Sequence, residues 1–282
     1  MDAPYALLEE IEPGIARMLA HNPSPFTFTG TQTYIVGQGE VAVIDPGPDL
    51  EEHVASILAA TQGERIAAIL CTHTHRDHSP ASRMLAQASG AGIVGCAPLA
   101  LADEGPRADA AFDFDYQADR ILVDGEQLEG QGWTLTAVAT PGHTSNHLCF
   151  ALDDVLFTGD HVMGWSTTVV SPPDGVMTLY MASLDKLLGR SDRCYLPAHG
   201  PAVDNPHGHV RGLVVHRRMR EKQILARLEA GEGRIADMVA FMYRDIDPRL
   251  HPAAGRSVLA HLVDLERRGL VRGEGEAWSL AA

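Results

Sequence analysis

The feature that most constrains this chain is a short cluster of metal-ligand side chains at the end of an apolar run. Ile66-Ala67-Ala68-Ile69-Leu70-Cys71 reads as a buried strand, and Thr72-His73-Thr74-His75-Arg76-Asp77-His78 follows at once. Three imidazoles and a carboxylate at a strand's mouth do not belong in an apolar core, because each unpaired buried polar group costs about 1–3 kcal/mol. Either water or a ligand must meet them.

The chain is long enough for one large domain or two smaller ones, with an ample core. Its 282 residues are 45% apolar with a mean hydropathy of −0.06. No apolar run approaches the ~20 residues of a membrane helix, so no membrane partner is expected. Met1 to His21 carries four acids and a single Arg. That pattern suits neither a secretory signal nor a transit peptide, so a cytoplasmic protein is expected. Cys71, Cys96, Cys149 and Cys194 form no C-x-x-C pair and read as reduced, buried thiols.

Charge divides the chain. Residues 1–200 hold 9 Lys and Arg against 26 Asp and Glu, a net −17, whereas residues 201–282 hold 13 against 11. The asymmetry points to two units and argues against a broad nucleic-acid footprint on the first.

Strands are expected over Phe26–Val36, Val41–Asp45, 66–71, Gly92–Cys96, Ile121–Val123, Trp133–Ala139, His147–Leu152, Val155–Thr158 and Arg193–Leu196. Single helices over Glu51–Thr61, Ser82–Ala88 and Leu179–Leu188 separate runs of them. Such grouping predicts an α/β fold built as a two-sheet sandwich covered by helices rather than an alternating parallel sheet. The pattern assigns no element to the acidic stretch from Pro98 to Asp119. Beyond Pro201 three helices are expected, over Val210–Leu228, Ile235–Tyr243 and Ser257–Arg268, the last with Leu259, Leu262 and Leu265 inward. Two short strands around the Gly273–Gly275 turn complete a winged helix. The expected domains are therefore 1–205 and 206–282.

Three later segments supply further ligands, each with a short apolar strand and a Gly beside the polar residue. They lead to His143, Asp160 and His199. With His73, His75, Asp77 and His78 they make five imidazoles and two carboxylates. That exceeds the four ligands of one tetrahedral zinc and suits two metals sharing a carboxylate. Neutral imidazoles with few carboxylates and no thiolate favour zinc, with iron and manganese as alternatives.

The ordered set His73-x-His75-x-Asp77-His78, His143, Asp160 and His199 resembles the motif set of the metallo-beta-lactamase superfamily, over roughly residues 20–205. Carried over, the resemblance implies an αββα sandwich in which His73, His75 and His143 hold one zinc. It implies Asp77, His78 and His199 on the second, Asp160 bridging, and Asp45 supporting the site without ligating. Pro141–His147, the loop from Gly159 to Ser166 and the winged helix are together similar to the beta-lactamase-like protein 2 family. That family includes metal-dependent hydrolases and single-strand RNA endonucleases.

The remaining candidates have plainer readings. His147 and His161 are expected to be structural, the latter with a place on the pocket rim as its alternative. His53, His216, His251 and His261 are expected to be solvated. Trp165 either lines the pocket mouth or caps the core. His216-Arg217-Arg218-Arg220-Lys222 reads as a solvated helix face before a nucleic-acid patch.

The leading expectation is a two-zinc hydrolase acting on an acyl bond (lactam, lactone, ester or thioester) of a small-molecule substrate. In it, Asp77 or Asp160 steers the nucleophile's proton. The alternative substrate is single-stranded RNA, which would need a basic lane such as Arg217, Arg218, Arg220 and Lys222. An iron persulfide dioxygenase fits poorly, given the full second set of ligands. A DNA-binding regulator fits poorly too, because Asp264 and Glu266 interrupt the cations of the third helix. The winged helix is expected to cover the site or to build a homo-oligomer.

Overall fold

Alternation along the strands sorts the side chains into two apolar layers. In a computed structural model, which describes residues 4–100, 112–245 and 247–281, fourteen strands and six α-helices are present among the described residues. Part of the unassigned acidic stretch, residues 101–111, lies outside them. The first sheet runs in spatial and chain order through β1 (Leu8–Glu12), β2 (Ile15–Leu19), β3 (Gln32–Gln38), β4 (Glu40–Ile44), β5 (Arg65–Cys71), β6 (Gly92–Gly95) and β7 (Arg120–Ile121). Pairing is antiparallel from β1 to β4 and parallel from β4 to β7. The parallel part needs crossovers, and α1 (Glu51–Ala60) and α2 (Ala81–Ser89) supply two of them.

The second sheet contains β8 (Gln127–Gly130), β9 (Trp133–Ala139), β10 (Leu148–Leu152), β11 (Val155–Gly159) and β12 (Cys194–Pro197), in the order β12-β11-β10-β9-β8. Only β11 and β12 pair in parallel. Tyr34, Ala42, Ile44 and Leu70 of the first sheet share one apolar cluster with Leu135, Ala137, Phe150 and Phe157 of the second. The opposite faces of β4 and β5, through Val41, Val43, Ile66 and Ile69, pack with Val54 and Ile57 of α1 and Leu85 of α2. Burial on both faces explains why β4 and β5 read as continuous apolar runs rather than alternating ones.

β1 and β2 were not foreseen, nor was β8. β1 lies at the edge of its sheet, and two of its three acids are engaged in ion pairs, Glu9 with Arg17 at 2.8 Å and Glu12 with Arg193 at 2.9 Å.

Two compact units are present. The first comprises residues up to Thr140, Asn146–Thr167 and Ser191–Pro206. The second comprises Pro141–Ser145, Thr168–Arg190 and the residues from His207 onward. In it, α3 (Met177–Leu188) precedes α4 (Pro206–Glu229), α5 (Ile235–Met242), α6 (His251–Arg267) and the hairpin of β13 (Val271–Glu274) and β14 (Ala277–Leu280). Helices α4 to α6 and this wing form a winged helix around Ile224, Met238, Val239, Val258, Leu262 and Leu265. The third helix starts six residues earlier than expected, because Pro252 sits in its first turn, where a missing N–H costs nothing. Val258, rather than the half-buried Leu259, faces the core.

Phe150 is fully buried where the two sheets meet. Phe150→Ala is expected to cost about 3–5 kcal/mol, read as a lower urea midpoint for the first unit.

Candidate metal centre

The chemistry-bearing residues all follow the C-terminal ends of strands. Asp45 follows β4, the His73–His78 cluster follows β5, His143 comes four residues after β9, Asp160 follows β11 and His199 comes two residues after β12. Among the described residues, ligand-type atoms gather in two groups, each within 4.8 Å: His73, His75, His143 and Asp160 in one, Asp77, His78 and His199 in the other. All seven residues expected at the site fall into these groups. Asp160 is shared in its contacts, because its Oδ1 lies 3.2 Å from His199 Nε2 and 3.6 Å from His78 Nε2.

Hydrogen bonds on the far side of four of the five rings fix which nitrogen faces the group. Asp45 adopts a left-handed φ of 49° at the end of β4, which turns its carboxylate back toward β5. Oδ1 accepts the Thr72 N–H at 2.8 Å, and Oδ2 accepts the Thr72 hydroxyl at 2.8 Å and His78 Nδ1 at 3.0 Å. With its proton committed to Asp45, Thr72 Oγ1 accepts from His73 Nδ1 at 3.0 Å. His143 Nδ1 donates to the Val169 carbonyl at 2.6 Å, and His199 Nδ1 to the Gly30 carbonyl at 3.2 Å. Four imidazoles thereby turn Nε2 toward the groups, whereas His75 turns Nδ1, 3.0 Å from His73 Nε2. Two lone-pair nitrogens at that distance repel unless a proton or a cation lies between them.

The donor set fits a divalent metal. Ligands of one tetrahedral zinc with Zn–N bonds near 2.0–2.1 Å stand roughly 3.3 Å apart, close to the His73–His75 spacing. His78 Nε2 is fully enclosed with no well-directed hydrogen bond, yet lies 3.2 Å from Asp77 Oδ2. Burial alone would raise the Asp77 and Asp160 carboxyls, but the His78 and His199 rings hold both well below the usual carboxylate range. Burial likewise opposes charge on those rings, but the facing carboxylates push His78 well up and His199 up to about 10. Proton and metal compete for the same nitrogens.

Two glycines make the close approaches that the sequence pattern anticipates. A Cβ on Gly159 (φ +49°) would stand 2.8 Å from both His147 Nε2 and Thr72 Oγ1. A Cβ on Gly142 would stand 2.3 Å from the Tyr180 backbone.

His147 is buried and supports Asp160, accepting its N–H at 3.2 Å while Nδ1 meets Thr140 Oγ1 at 2.9 Å. His161 is buried. Trp165 is half-buried and stacks on Phe28 with ring centroids 4.9 Å apart. The four cysteines are buried thiols outside any disulfide.

Four basic residues expected in solvent are not there. His53 bonds Thr33 at 2.8 Å, and burial pushes it down to about 4. His261 is 3% exposed and pushed down to about 3, by burial first and then by Arg217. Arg217 is 3% exposed, and Arg220 lies over the Tyr243 ring and bonds Gln223 and Met242. Arg217 and Arg220 lie along the buried stripe of α4, in register with Val210, Leu213, Val214, Ile224 and Leu228.

Sequence also gave no role to residues that frame the cluster. Arg76 Nε donates to the Phe112 carbonyl at 2.9 Å, and Thr74 Oγ1 accepts from Asn146 at 3.1 Å. Asp174, buried and therefore raised in pKa, accepts the Ser145 N–H at 3.1 Å.

A sandwich carrying such a donor set at its strand ends is that of a metal-dependent hydrolase. The metallo-beta-lactamase superfamily model matches residues 26–199, and the chain belongs to that superfamily. The beta-lactamase associated winged helix domain matches residues 234–278. A beta-lactamase-like protein 2 homolog of Drosophila melanogaster is 30% identical over 275 residues, 92% of this chain and 89% of the relative. An atrochrysone carboxyl ACP thioesterase of Paecilomyces divaricatus is 31% identical over 251 residues, 86% of this chain and 74% of the relative. A metallo-beta-lactamase family protein from Thermus thermophilus shares the fold, with a TM-score of 0.79 at 22% identity over 96% of this chain and 100% of that one. No helix among the described residues is long and apolar enough to cross a membrane.

Asp45→Ala would orphan three buried donors at once, two on Thr72 and one on His78. A loss of about 3 kcal/mol or more is expected, at roughly 1–3 kcal/mol per group. Urea unfolding at pH 7 measures it, and Asp45→Asn should lose less.

Proposed function

We propose that the protein is a dinuclear zinc hydrolase cleaving an acyl bond of a small-molecule substrate, with thioesters foremost among lactams, lactones, esters and thioesters. The observation that carries this reading is the pair of adjacent ligand groups with ring nitrogens oriented from behind. In it, His73, His75 and His143 hold one ion, Asp77, His78 and His199 the other, and Asp160 contributes to both. Imidazole-rich donors without thiolate favour zinc over iron or manganese.

Bound there, the two ions would supply Lewis acidity and a water whose pKa falls from 15.7 toward about 7. The chain's own residues do the rest. Asp77 Oδ2 and Asp160 Oδ1 each lie 3.2 Å from His199 Nε2, so either carboxylate can steer the proton of an attacking water. Asp45, through Thr72 and directly, holds one imidazole of each group in position, which preorganises the site before substrate arrives. The Trp165–Phe28 stack adjoins the His199 loop: a Cβ on Gly200 would lie 2.9 Å from the Trp165 Cβ. It offers an apolar surface suited to an acyl group.

Charge supports a small substrate over a polyanion, because residues 1–200 carry a net −17. Arg217 and Arg220, two of the four cations an RNA lane would need, are committed to contacts within the second unit. The thioesterase named among the relatives favours a thioester within the acyl class. A cytoplasmic location and assembly into a homo-oligomer belong to the same reading as expectations.

Zinc analysis and a hydrolysis panel of a thioester, a lactone, a lactam and single-stranded RNA test this proposal. The parent should hold two zinc ions per chain and cleave the thioester with little salt dependence. Cleavage of RNA alone, with affinity falling steeply as salt rises, would overturn the acyl reading. His143→Ala should reduce bound zinc to one per chain and lower kcat by more than the 10–100-fold typical of losing an outer partner. Full activity with normal metal content would defeat the ligand assignment.

A further inference from the structure

Arg217 is a charged side chain in an unusual place. It lies on α4, 3% exposed, and its contacts are the Thr168 carbonyl, the Ser257 hydroxyl at 3.4 Å and the face of the Tyr180 ring at 5.0 Å. Its Nε is enclosed without a hydrogen-bond partner. Enclosing a guanidinium without a carboxylate costs more than packing an apolar side chain of similar volume there. Stability of the unit alone therefore does not account for an arginine at this position.

What Arg217 touches is the support of His143. Thr168, the carbonyl it binds, directly precedes Val169, whose carbonyl receives His143 Nδ1. The rest of the His143 loop rests on the same segment. Val176 N–H donates to the Gly142 carbonyl at 2.9 Å, and the Ser183 hydroxyl to the Pro141 carbonyl at 2.8 Å. The Ser145 N–H is received by Asp174. Gly142 is pressed against the backbone of Tyr180, whose ring carries the Arg217 guanidinium. A second tie reinforces the first, because Thr178 bonds Asp264 of α6. Pro141–Ser145, Thr168–Arg190 and the winged helix thus form one contiguous support, all within the second unit.

We infer that Arg217 is a positioning residue for the metal centre, through which the winged-helix unit fixes the Thr168–Val169 backbone and hence the orientation of the His143 ring. This rests on the reading of His143 as a zinc ligand. The two residues are 74 positions apart in sequence, and the link runs through a main-chain carbonyl pair rather than through side-chain contact. On this view α4 contributes to metal affinity without touching metal or substrate. A lysine ammonium is a compact charge without the planar fork that spans Thr168 and Ser257, so it does not reproduce that geometry.

The test is zinc affinity, measured on full-length, chelator-stripped protein by competition with a chromophoric chelator. The set is the parent, Arg217→Met, Arg217→Lys and Leu262→Ala, with thermal unfolding of each metal-free protein alongside. Leu262 lies in the winged-helix core but makes none of the bonds to Arg217, Thr178 or the His143 loop, so its variant is the control for lost stability. Arg217→Met should weaken one of two zinc equivalents 10–100-fold and leave the other at parent affinity. Arg217→Lys should fall between, and supplies the reading if Arg217→Met fails to fold. Leu262→Ala should lose thermal stability yet bind both equivalents as the parent does. Parent affinity for both equivalents in the Arg217 variants would overturn the inference, as would equal weakening in Leu262→Ala. A parent that binds no zinc would defeat the metal reading itself, and the inference with it, whereas the first two results leave that reading intact.

Discussion

The candidate centre depends on one carboxylate that lies outside both groups of ligand-type atoms. Asp45 sits at the end of β4 in a left-handed conformation, and its two oxygens receive three donors from the segment after β5. One is the imidazole of His78. Another is the Thr72 hydroxyl, which then has only its lone pairs for His73. A single buried charge thereby sets the tautomer of one ring in each ligand group. Because β4 and β5 pair in parallel, their C-terminal ends emerge side by side, which sets Asp45 beside Thr72 and His78. The sheet topology and the site chemistry are therefore one constraint.

Much of this is legible in the amino-acid sequence alone. The His73–His78 cluster was legible because ligand-type residues crowd a strand end where apolar packing cannot hold them. His143, Asp160 and His199 were legible because each ends a short apolar strand beside glycine. The central strands were equally clear, and β9 alternates Trp133, Leu135 and Ala137 inward with Thr134 and Thr136 outward. β1 and β2 escaped because Leu8–Glu12 and Ile15–Leu19 mix acids, Arg and apolar residues without a clean period. They are strands by virtue of pairing, β1 with β2 and β2 with β3, which is a tertiary fact. The first turns of α6 escaped because Pro252 and Gly255 resemble breakers.

Side chains whose role is set by remote contacts were illegible for a different reason. Arg217 stands in a run of cations that reads as solvated, and only the fold reveals that it meets Thr168, Tyr180 and Ser257. His53 and His261 lie on helices whose exposed and buried faces are not separated by composition. Asp45 could be noticed as an acid at a strand end, but its three-way acceptance depends on a backbone conformation that no local pattern announces. Arg76, similarly, is explained only by the carbonyl of Phe112.

The acceptors behind His143 and His199 are main-chain carbonyls, of Val169 and Gly30. A carbonyl is present whatever side chain its residue carries, so no single codon change at those positions deletes the acceptor itself. Asp45 has no such protection, since almost any replacement removes its charge. Genetic drift can therefore reach this centre by unequal routes: directly through Asp45, but only through displacement of the backbone for the other two rings. The parts of the chain that hold that backbone in place consequently inherit a selective burden that their distance from the chemistry would not suggest.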